Sequence, residues 1–286
     1  MIITSDVKFI GEKTLTNDTG GKHMKTSREL FDLTGRVAIV TGGRGLYGAC
    51  ISKGMCEMGA YVVIASRNGA KCEEYATELR EEGYEACGMS LDLSSDESIK
   101  KLVADVMEQY GKIDILVNNA VDRSNLCSLN QAQREKLQAS MNTNLSGQII
   151  LSQEVLLRAM IPAQKGSIIN ISSMRGLDCP HFPFYPETMG DQSVNYTTEK
   201  WAMEGLTKYM AGRYGQYGIR TNSVAPGGYP ELSPDNPFTQ VYKDNNPLHR
   251  WANEDDIKGP VCFLASDAAG YVNGVTLVMD GGWTVW

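Results

Sequence analysis

The 286-residue sequence predicts a single-domain α/β fold, a doubly wound parallel sheet with helices on both faces. Short apolar runs alternate with helix-length segments, and such runs are typical of strands that are buried on both faces. Strands that are separated by helices imply right-handed crossovers and therefore a parallel sheet. No internal repeat or low-complexity linker divides residues 34–286, so we expect one domain there.

The predicted elements follow one another in a regular order. The clearest strands are the apolar runs Val-Ala-Ile-Val, Tyr-Val-Val-Ile-Ala, Ile-Asp-Ile-Leu-Val and Ser-Ile-Ile-Asn-Ile. In all, strands are expected at 37–40, 61–65, 86–91, 113–117, 167–171, 220–224 and 275–279. The intervening segments predict helices at 46–58, 70–83, 96–110, 131–144, 146–161, 195–216 and 254–266.

Proline placement predicts the two longest loops. Eight of the ten prolines lie within 180–186 and 226–247. Because proline disrupts helix interiors and central strands, we expect loops in both stretches. Loops that follow strands are where doubly wound folds bind ligands.

The N-terminal segment has a different character from the domain. Residues 1–33 are polar and lack sustained periodicity. We therefore expect an arm that is mobile or contacts another subunit, with local structure only around 7–10.

The composition argues against several classes of function. The net charge is −7 without a basic tract, so neither a nucleic-acid nor an anionic-membrane partner is expected. No apolar run approaches the roughly 18 residues of a membrane span, and no signal segment opens the chain, so we expect a cytoplasmic location. The seven cysteines form no CxxC pair and the three histidines show no zinc spacing, which predicts reduced thiols and no metal site.

A glycine-rich turn predicts a dinucleotide site. The stretch Thr41-Gly-Gly-Arg-Gly-Leu-Tyr-Gly48 follows the first strand directly and opens the first helix. Glycines there let the backbone approach a pyrophosphate, and the helix N-terminus offers N–H groups and positive dipole to the anion. A glycine turn without a ligand is the alternative. The cofactor contacts predicted from this turn are Gly42, Gly43, Arg44, Gly45, Leu46, Tyr47 and Gly48.

The end of the second strand predicts which dinucleotide binds. An acidic residue about 20 positions after the glycines would bind a ribose 2′-hydroxyl, but the chain has none there. Ser66 and Arg67, with Arg44, can instead hold a 2′-phosphate. The alternative is that both arginines are solvated surface charges. This chemistry favours NADP(H) over NAD(H).

Two further strand ends supply predicted cofactor contacts. Asp92 and Leu93 end the third strand region, where a side chain or the backbone can meet an adenine. Asn119 and Ala120 close the fourth strand, where short amides can connect the strand end to the cofactor. A turn that caps itself is the alternative reading of these amides.

A tyrosine, a lysine and a serine predict proton chemistry beside that cofactor. Tyr196 and Lys200 lie one turn apart at the start of the longest predicted helix, on one face. A free tyrosine has a pKa of about 10, and a nearby ammonium favours its phenolate. Ser173 ends a strand at the carboxyl edge, where its hydroxyl can hydrogen-bond a substrate oxygen. The Tyr-x-x-x-Lys spacing alone is common, and a surface pair is the alternative.

Asn144 falls between two predicted helices. It can break the helix locally and hold a water towards Lys200. A helix-capping asparagine is an equally physical interpretation.

Taken together, these motifs resemble the short-chain dehydrogenase/reductase family over about residues 34–282. The matching stretches are Thr41–Gly48, Asp92, Asn118-Asn-Ala120, Asn144, Ser173, Tyr196 with Lys200, Asn222, Pro226-Gly227 and Asp280-Gly-Gly282. The resemblance implies a Rossmann fold and cofactor contacts from Pro226 and Gly227. It also implies Tyr196 as acid/base, Lys200 as pKa modulator and ribose ligand, Ser173 as substrate anchor and Asn144 as relay residue.

The same resemblance implies an assembly and a small-molecule substrate. The expected assembly is a homotetramer or homodimer built on the helices near 146–161 and 195–216. The terminal Trp283 and Trp286 are expected to pack at a subunit interface.

Two segments are expected to cover the substrate. The interval between Ser173 and Tyr196 is longer than the family usually has, which predicts a substrate-lid insertion near 174–193. After Pro226-Gly227 the chain lacks the threonine often found in the family, and a second lid segment is expected near 228–251. Their aromatic residues alternate with charged and amide groups, which suits a polyhydroxylated ligand, although a solvated loop is the alternative. The longer interval is also similar to family members that act on sugars and sugar acids, gluconate 5-dehydrogenase-like proteins among them.

The expected function is therefore NAD(P)(H)-dependent interconversion of a secondary alcohol and a ketone on a sugar, sugar acid or other polyhydroxylated substrate. One alternative is a 3-oxoacyl thioester ketoreductase. Another is a catalytically idle, cofactor-sensing scaffold that uses the same fold.

Overall fold

The structure is a computed structural model that describes residues 24–285, in which strands and helices alternate as predicted. The strands are Val37–Thr41 (β1), Tyr61–Ser66 (β2), Ala86–Ser90 (β3), Ile115–Asn118 (β4), Gly166–Ile171 (β5), Ile219–Pro226 (β6) and Thr276–Met279 (β7). The helices are Ser27–Phe31 (α1), Leu46–Glu57 (α2), Gly69–Glu81 (α3), Asp96–Tyr110 (α4), Arg134–Met141 (α5), Gly147–Val155 (α6), Ile161–Ala163 (α7), Val194–Tyr214 (α8), Pro237–Asn245 (α9) and Lys258–Ala265 (α10).

All seven strands form one parallel sheet in the order β3-β2-β1-β4-β5-β6-β7. The chain moves outward from β1 to β3 and then returns to place β4 on the other side of β1. Ligands of doubly wound sheets bind at such a reversal, outside the carboxyl ends of the strands. The predicted single-domain fold is confirmed.

The apolar strand runs arise because both faces of the sheet are covered. Alternate side chains of β1 point to opposite faces. Ala38 and Val40 pack with α2, α3 and α10 on one face, whereas Val37 and Ile39 pack with α4 and α6 on the other. No position of β1 is exposed, so an alternating polar pattern is absent.

The expected pair of helices at 131–144 and 146–161 is nearly one helix in the structure. Two π-helical turns, Asn142–Ser146 and Leu156–Met160, join α5, α6 and α7. Asn144 therefore interrupts the regular hydrogen-bond ladder without ending the helix. Single π-helical turns of this kind occur frequently at functional sites.

The expectation of a loop throughout 226–247 is wrong, because α9 lies within it. Pro237 occupies the first helical position, where its missing N–H costs nothing and its fixed φ is helical. Asn236 caps the helix by accepting a hydrogen bond from the Phe238 amide at 2.9 Å. The prolines thus mark a helix start as well as loops.

Other boundaries shift by a few residues. The strand expected from 113 begins at Ile115. The helix expected from 254 begins at Lys258, after a turn. No helix among residues 24–285 combines the length and apolarity needed to cross a membrane.

The last residues of the expected arm pack onto the domain. Helix α1 begins with a capping box between Thr26 and Glu29. Leu33 is fully buried in the core, and the ring of Phe31 lies 6.2 Å from that of Phe263. The local structure expected around 7–10 lies outside the described residues.

Candidate active site

The glycine turn between β1 and α2 has a shape that side chains would prevent. Gly42 adopts a φ of +62°, in the left-handed region that favours glycine. A Cβ on Gly48 would lie 2.0 Å from the Gly42 carbonyl oxygen, and a Cβ on Gly43 would lie 2.8 Å from the Ser52 hydroxyl. Gly45 caps α2 without any side-chain hydrogen bond, so the first amides of the helix stay available to an anion.

Thr41 fixes this turn to the end of β4. Its hydroxyl donates to the Val117 carbonyl at 3.1 Å and accepts from the backbone amides of Asn119 at 2.9 Å and Ala120 at 3.0 Å. The Asn119 side chain donates to the Thr41 carbonyl at 2.8 Å. The predicted contacts Asn119 and Ala120 therefore lie beside the glycine turn, and Thr41 is a positioning residue that the motif alone did not reveal.

The residues predicted to read a 2′-phosphate lie at the exposed end of β2. Arg67 is 70% exposed and pairs with Asp122 at 3.1 Å, while Arg44 is exposed in the glycine turn. The Ser66 hydroxyl lies 2.9 Å from the Cys72 sulfur. No acidic residue ends this strand, but Arg67 faces the Asp122 carboxylate and Asp92 is also within its electrostatic reach.

Asp92 and Leu93 end the neighbouring strand region. The Asp92 carboxylate accepts hydrogen bonds from the hydroxyl of Ser94 at 2.7 Å and from its amide at 2.9 Å, and these lower the pKa of Asp92. Leu93 is buried, and a Cβ on Gly147 would lie 2.0 Å from its carbonyl oxygen. The close approach of α6 thus holds this segment in place.

The residues around the turn fit a nicotinamide dinucleotide. Glycines leave room that any Cβ would fill, uncapped amides face the turn, and cations lie in the turn and at the end of β2. These are the features that a pyrophosphate and an adenosine ribose require.

Tyr196 and Lys200 meet in the first turns of α8, as predicted. Ser193 caps this helix by accepting from the Tyr196 amide at 3.2 Å. The Lys200 ammonium lies 5.6 Å from the Tyr196 ring centroid and donates to the Ile171 carbonyl at 2.7 Å. Lys200 is buried, which lowers its pKa, and the nearby phenol opposes that effect.

Ser173 follows β5 and lies beside α8. Its hydroxyl accepts from the Arg175 amide at 3.1 Å, and the side chain is only 7% exposed. A Cβ on Gly176 would lie 2.7 Å from the Lys200 carbonyl oxygen, so only glycine lets the turn after β5 approach α8 so closely. The structure therefore brings Ser173, Tyr196 and Lys200 to one sheet edge.

Asn144 reaches the same edge through a buried network. Its side-chain oxygen accepts from the Asp122 amide at 2.7 Å, and its nitrogen donates to the Asp122 carbonyl and to Glu199, both at 2.9 Å. Glu199 also accepts from the Ser140 hydroxyl at 2.6 Å. Glu199 is not among the predicted site residues, because its only signal in the sequence is its place beside Lys200.

The two expected insertion segments, 174–193 and 228–251, join through aromatic rings. Tyr185 of the first stacks on Phe238 of the second, with centroids 4.6 Å apart. Trp283 stacks on Tyr242 at 4.7 Å and is 1% exposed. The expectation that Trp283 packs at a subunit interface is therefore wrong, because the ring is already enclosed within its own chain. Trp286 lies outside the described residues.

The 228–251 segment also reaches the glycine turn. Tyr47 stacks on Tyr229 with centroids 4.7 Å apart and donates its hydroxyl to the Gly227 carbonyl at 3.2 Å. Pro226 ends β6, and Gly227 donates to the Met279 carbonyl at 2.8 Å. The predicted contacts Pro226 and Gly227 thus lie opposite the turn that carries Tyr47.

A cavity of about 450 Å³ lies behind this segment. Gly227, Tyr242 and Asp280 are among its lining residues, but neither Tyr196 nor Lys200 is. The proton-transfer groups therefore belong to the strand-end crevice rather than to this cavity.

The fold and this crevice define a nicotinamide-dependent oxidoreductase that interconverts alcohols and ketones. Residues 44–284 match the family model described as Enoyl-(Acyl carrier protein) reductase. The chain belongs to the short-chain dehydrogenase/reductase family.

Characterised relatives and solved structures match nearly the whole chain. Gluconate 5-dehydrogenase of Gluconobacter oxydans is 32% identical over 263 residues, covering 90% of this chain and 98% of the relative. The 3-oxoacyl-[acyl-carrier-protein] reductase FabG of Pseudomonas aeruginosa is 34% identical over 262 residues, covering 88% and 98%. A gluconate 5-dehydrogenase from Burkholderia cenocepacia, solved in complex with NADP and tartrate, has a TM-score of 0.82 at 33% identity, covering 91% and 100%.

Proposed function

We propose that this protein oxidises a secondary hydroxyl of a sugar acid or another polyhydroxylated substrate, and reduces the corresponding ketone, with NADP(H) preferred over NAD(H). The observation that carries the chemistry is the pairing of Tyr196 with the buried Lys200 at the edge where Ser173 ends β5. The relatives named gluconate 5-dehydrogenase support the class of substrate.

In the proposed reaction, Tyr196 gives or takes the hydroxyl proton at its phenol oxygen. The Lys200 ammonium stabilises negative charge on that oxygen, and its bond to Ile171 keeps it in place. Ser173 donates a hydrogen bond to the substrate oxygen as charge develops there. A bound nicotinamide supplies or accepts the hydride.

Asn144 serves as the relay residue in this proposal. Its side chain is held on both sides by Asp122 and Glu199, and Glu199 is adjacent to Lys200 in α8. This arrangement fixes the π-helical turn beside Lys200, where a water can connect Asn144 with the lysine. A proton that leaves Tyr196 then has a path towards solvent.

The preference for NADP(H) rests on the side chains at the end of β2 and in the glycine turn. Arg67 is exposed at the position where a carboxylate would select a free ribose, Ser66 offers a hydroxyl nearby, and Arg44 is exposed in the glycine turn. In this proposal Leu46, Tyr47 and the glycines hold the pyrophosphate, and Asp92 with Leu93 lies at the adenine.

The substrate class rests on the two insertion segments, which we propose form the lid. They combine the rings of Tyr185, Phe238 and Trp251 with buried Arg175, and they lie next to Ser173. Aromatic faces beside charged groups suit a hydroxylated, polar ligand better than a long acyl chain.

Reduction of a 3-oxoacyl thioester is the second candidate. The observation that favours it is the relative of that name in Pseudomonas aeruginosa, whose identity to this chain is as high as that of the gluconate dehydrogenase. The two candidates share their proton chemistry and differ only in what the lid admits.

We further propose a homodimer or homotetramer in the cytoplasm. Four apolar or aromatic side chains are exposed on the helices expected to pair, namely Ile149, Leu157, Trp201 and Tyr209. All seven cysteines lack disulfide bonds, which suits a reducing compartment.

A substrate panel tests this function. We expect purified protein to reduce NADP+ with polyhydroxy acids or polyols, and Tyr196→Phe to lower kcat by about 100- to 10,000-fold without changing NADPH affinity. Tyr271→Phe, which changes an exposed phenol outside the site and outside the two helices expected to pair, is the control and should keep full activity. Activity on acyl thioesters alone would reverse the order of the two candidates, and full activity of Tyr196→Phe would refute the assigned chemistry.

A further inference from the structure

Arg175 is a buried cation at the start of the first insertion segment. It is the second residue after Ser173, and its amide donates to the Ser173 hydroxyl at 3.1 Å. Its side chain is nevertheless only 6% exposed. A guanidinium is thus enclosed under the lid, next to the residue that we assign to the substrate oxygen.

The guanidinium of Arg175 forms no direct ion pair, although the Asp178 carboxylate is near enough to act on its charge. Its guanidinium donates to the Cys179 carbonyl at 3.1 Å and to the Tyr185 hydroxyl, and both acceptors are neutral. Among the carboxylates of residues 24–285, none forms an ion pair with it. Asp178 pairs instead with His181 at 2.7 Å. Burying a guanidinium without a direct ion pair is unfavourable, so the position calls for a reason other than stability.

A second arginine shows what a structural role looks like in this fold. Arg220 is half-buried and donates to the carbonyls of Leu264 at 2.8 Å and Ser266 at 3.1 Å. Those carbonyls end α10, where the helix dipole is negative and favours a cation. Arg175 has no helix end of this kind among its acceptors.

The free donors of Arg175 are suited to an anion. A guanidinium has five N–H groups in a planar fork, and only two acceptors in the protein are assigned to it. The Tyr185 ring lies 5.4 Å from the guanidinium and stacks on Phe238, which ties Arg175 to both parts of the lid. Burial lowers the pKa of Arg175, and Asp178 opposes this effect most. The Tyr196 phenol is among the further groups that oppose it, so the cation lies within electrostatic reach of the proton-transfer group.

We propose that Arg175 binds a carboxylate of the substrate, which makes the substrate a polyhydroxy acid or the matching oxo acid. This inference rests on the proposed function and narrows it, because neutral polyols and thioesters lack the group that the arginine would pair with. A planar carboxylate can accept two parallel hydrogen bonds from the fork and form a direct ion pair with it.

Dead-end binding tests the proposal without turnover. Calorimetry on the NADPH-saturated protein would compare D-gluconate with D-glucitol, which has the same hydroxylated chain but no carboxylate. We expect the wild type to bind gluconate more tightly than glucitol. Arg175→Met should weaken gluconate binding by about 10- to 100-fold and change glucitol binding by less than about twofold.

Two further variants separate recognition from folding. Arg175→Lys keeps the charge and should retain part of the preference for gluconate. Arg220→Met removes a half-buried guanidinium with a structural role and should lower the melting temperature while leaving the ratio of the two affinities unchanged. NADPH affinity and melting temperature of each variant show whether the fold is intact.

The outcomes distinguish this inference from the proposed function. Equal losses for gluconate and glucitol in Arg175→Met, unchanged gluconate binding, or a wild type that binds no gluconate would each overturn the carboxylate site. A protein that binds gluconate through Arg175 but oxidises no alcohol would instead overturn the proposed function.

Discussion

The proposed preference for NADP(H) depends on single side chains at the end of β2. Arg67 must leave Asp122 to meet a phosphate, but that pair is an exposed one with Arg67 70% accessible. Exposed ion pairs contribute only about 0–1 kcal/mol. Exchanging the carboxylate for a doubly charged phosphate therefore costs little and gains a stronger partner.

The proposed exchange of Asp122 for a phosphate at Arg67 leads to a prediction for a single substitution. We expect Arg67→Ala to lower kcat/KM for NADP+ by about 10- to 100-fold, because a charge-assisted contact is lost, and to leave that for NAD+ nearly unchanged. Steady-state rates with both cofactors measure it. Arg80→Ala is the control, since Arg80 is exposed at the far end of α3 and pairs with Glu73. A preference that survives Arg67→Ala would count against the assignment.

Some site residues could be predicted from the sequence and others could not. Ser173, Tyr196 and Lys200 follow from local position, at a strand end and on one helix face. The Glu199 carboxylate and the Thr41 hydroxyl act through partners that lie far away in the chain. In the sequence Glu199 is one more charged residue of a helix, because its burial depends on how α5 packs against α8.

The glycine turn is the element on which dinucleotide binding depends. We expect Gly48→Ala to weaken NADPH binding about tenfold or more and to destabilise the fold by about 1–3 kcal/mol, because the new Cβ would press on the Gly42 carbonyl. Fluorescence titration and urea unfolding measure the two effects.

Gly259→Ala is the matched control for that substitution. A Cβ at this helical position meets no atom within 4 Å. Stability should stay equal or rise by up to about 1 kcal/mol, because alanine restricts the unfolded chain, and NADPH affinity should not change. Similar losses of stability and NADPH affinity in both variants would show that Gly48 has no special role in the turn.

At the level of elements, burial explains what the sequence could predict. The strands at the centre of the sheet are apolar because both faces are covered. The apolar runs of the sequence therefore predict where these strands lie. Helix α9 could not be predicted in this way, since the prolines of its segment indicate a loop and only Pro237, at the first helical position, marks the start of the helix. The sequence predicts a local break at Asn144 but not that this break is a π-helical turn, because the end residues Asn142 and Ser146 keep ordinary helical backbone angles.

At the scale of the whole molecule, two helices present side chains that a single chain leaves uncovered. Leu157 is 59% exposed and Trp201 51% exposed, on the two helical stretches expected to meet a second subunit. Covering such side chains stabilises association by roughly 25 cal/mol for each Å² of apolar surface. The assembly would then rest on these helices rather than on Trp283.

Light scattering after gel filtration tests this arrangement. We expect the wild type to have the mass of a dimer or tetramer and Leu157→Glu to yield smaller species, because a carboxylate would be buried without a partner. Leu129→Glu places the same charge at another exposed leucine, outside the two helices, and should leave the mass unchanged. A monomeric wild type would refute the assembly.

The ring contacts between Tyr185, Phe238, Tyr242 and Trp283 differ in kind from the bonds that hold the strand ends. Stacked rings tolerate small displacements and exchange of one aromatic or aliphatic residue for another, whereas Thr41 and Lys200 require fixed donors and acceptors. In the proposed lid, substitutions in the aromatic cluster would therefore alter which molecules are admitted, while the groups assigned to proton transfer keep their positions. Because of this separation, enzymes of this kind can evolve new specificities while they remain catalytically competent.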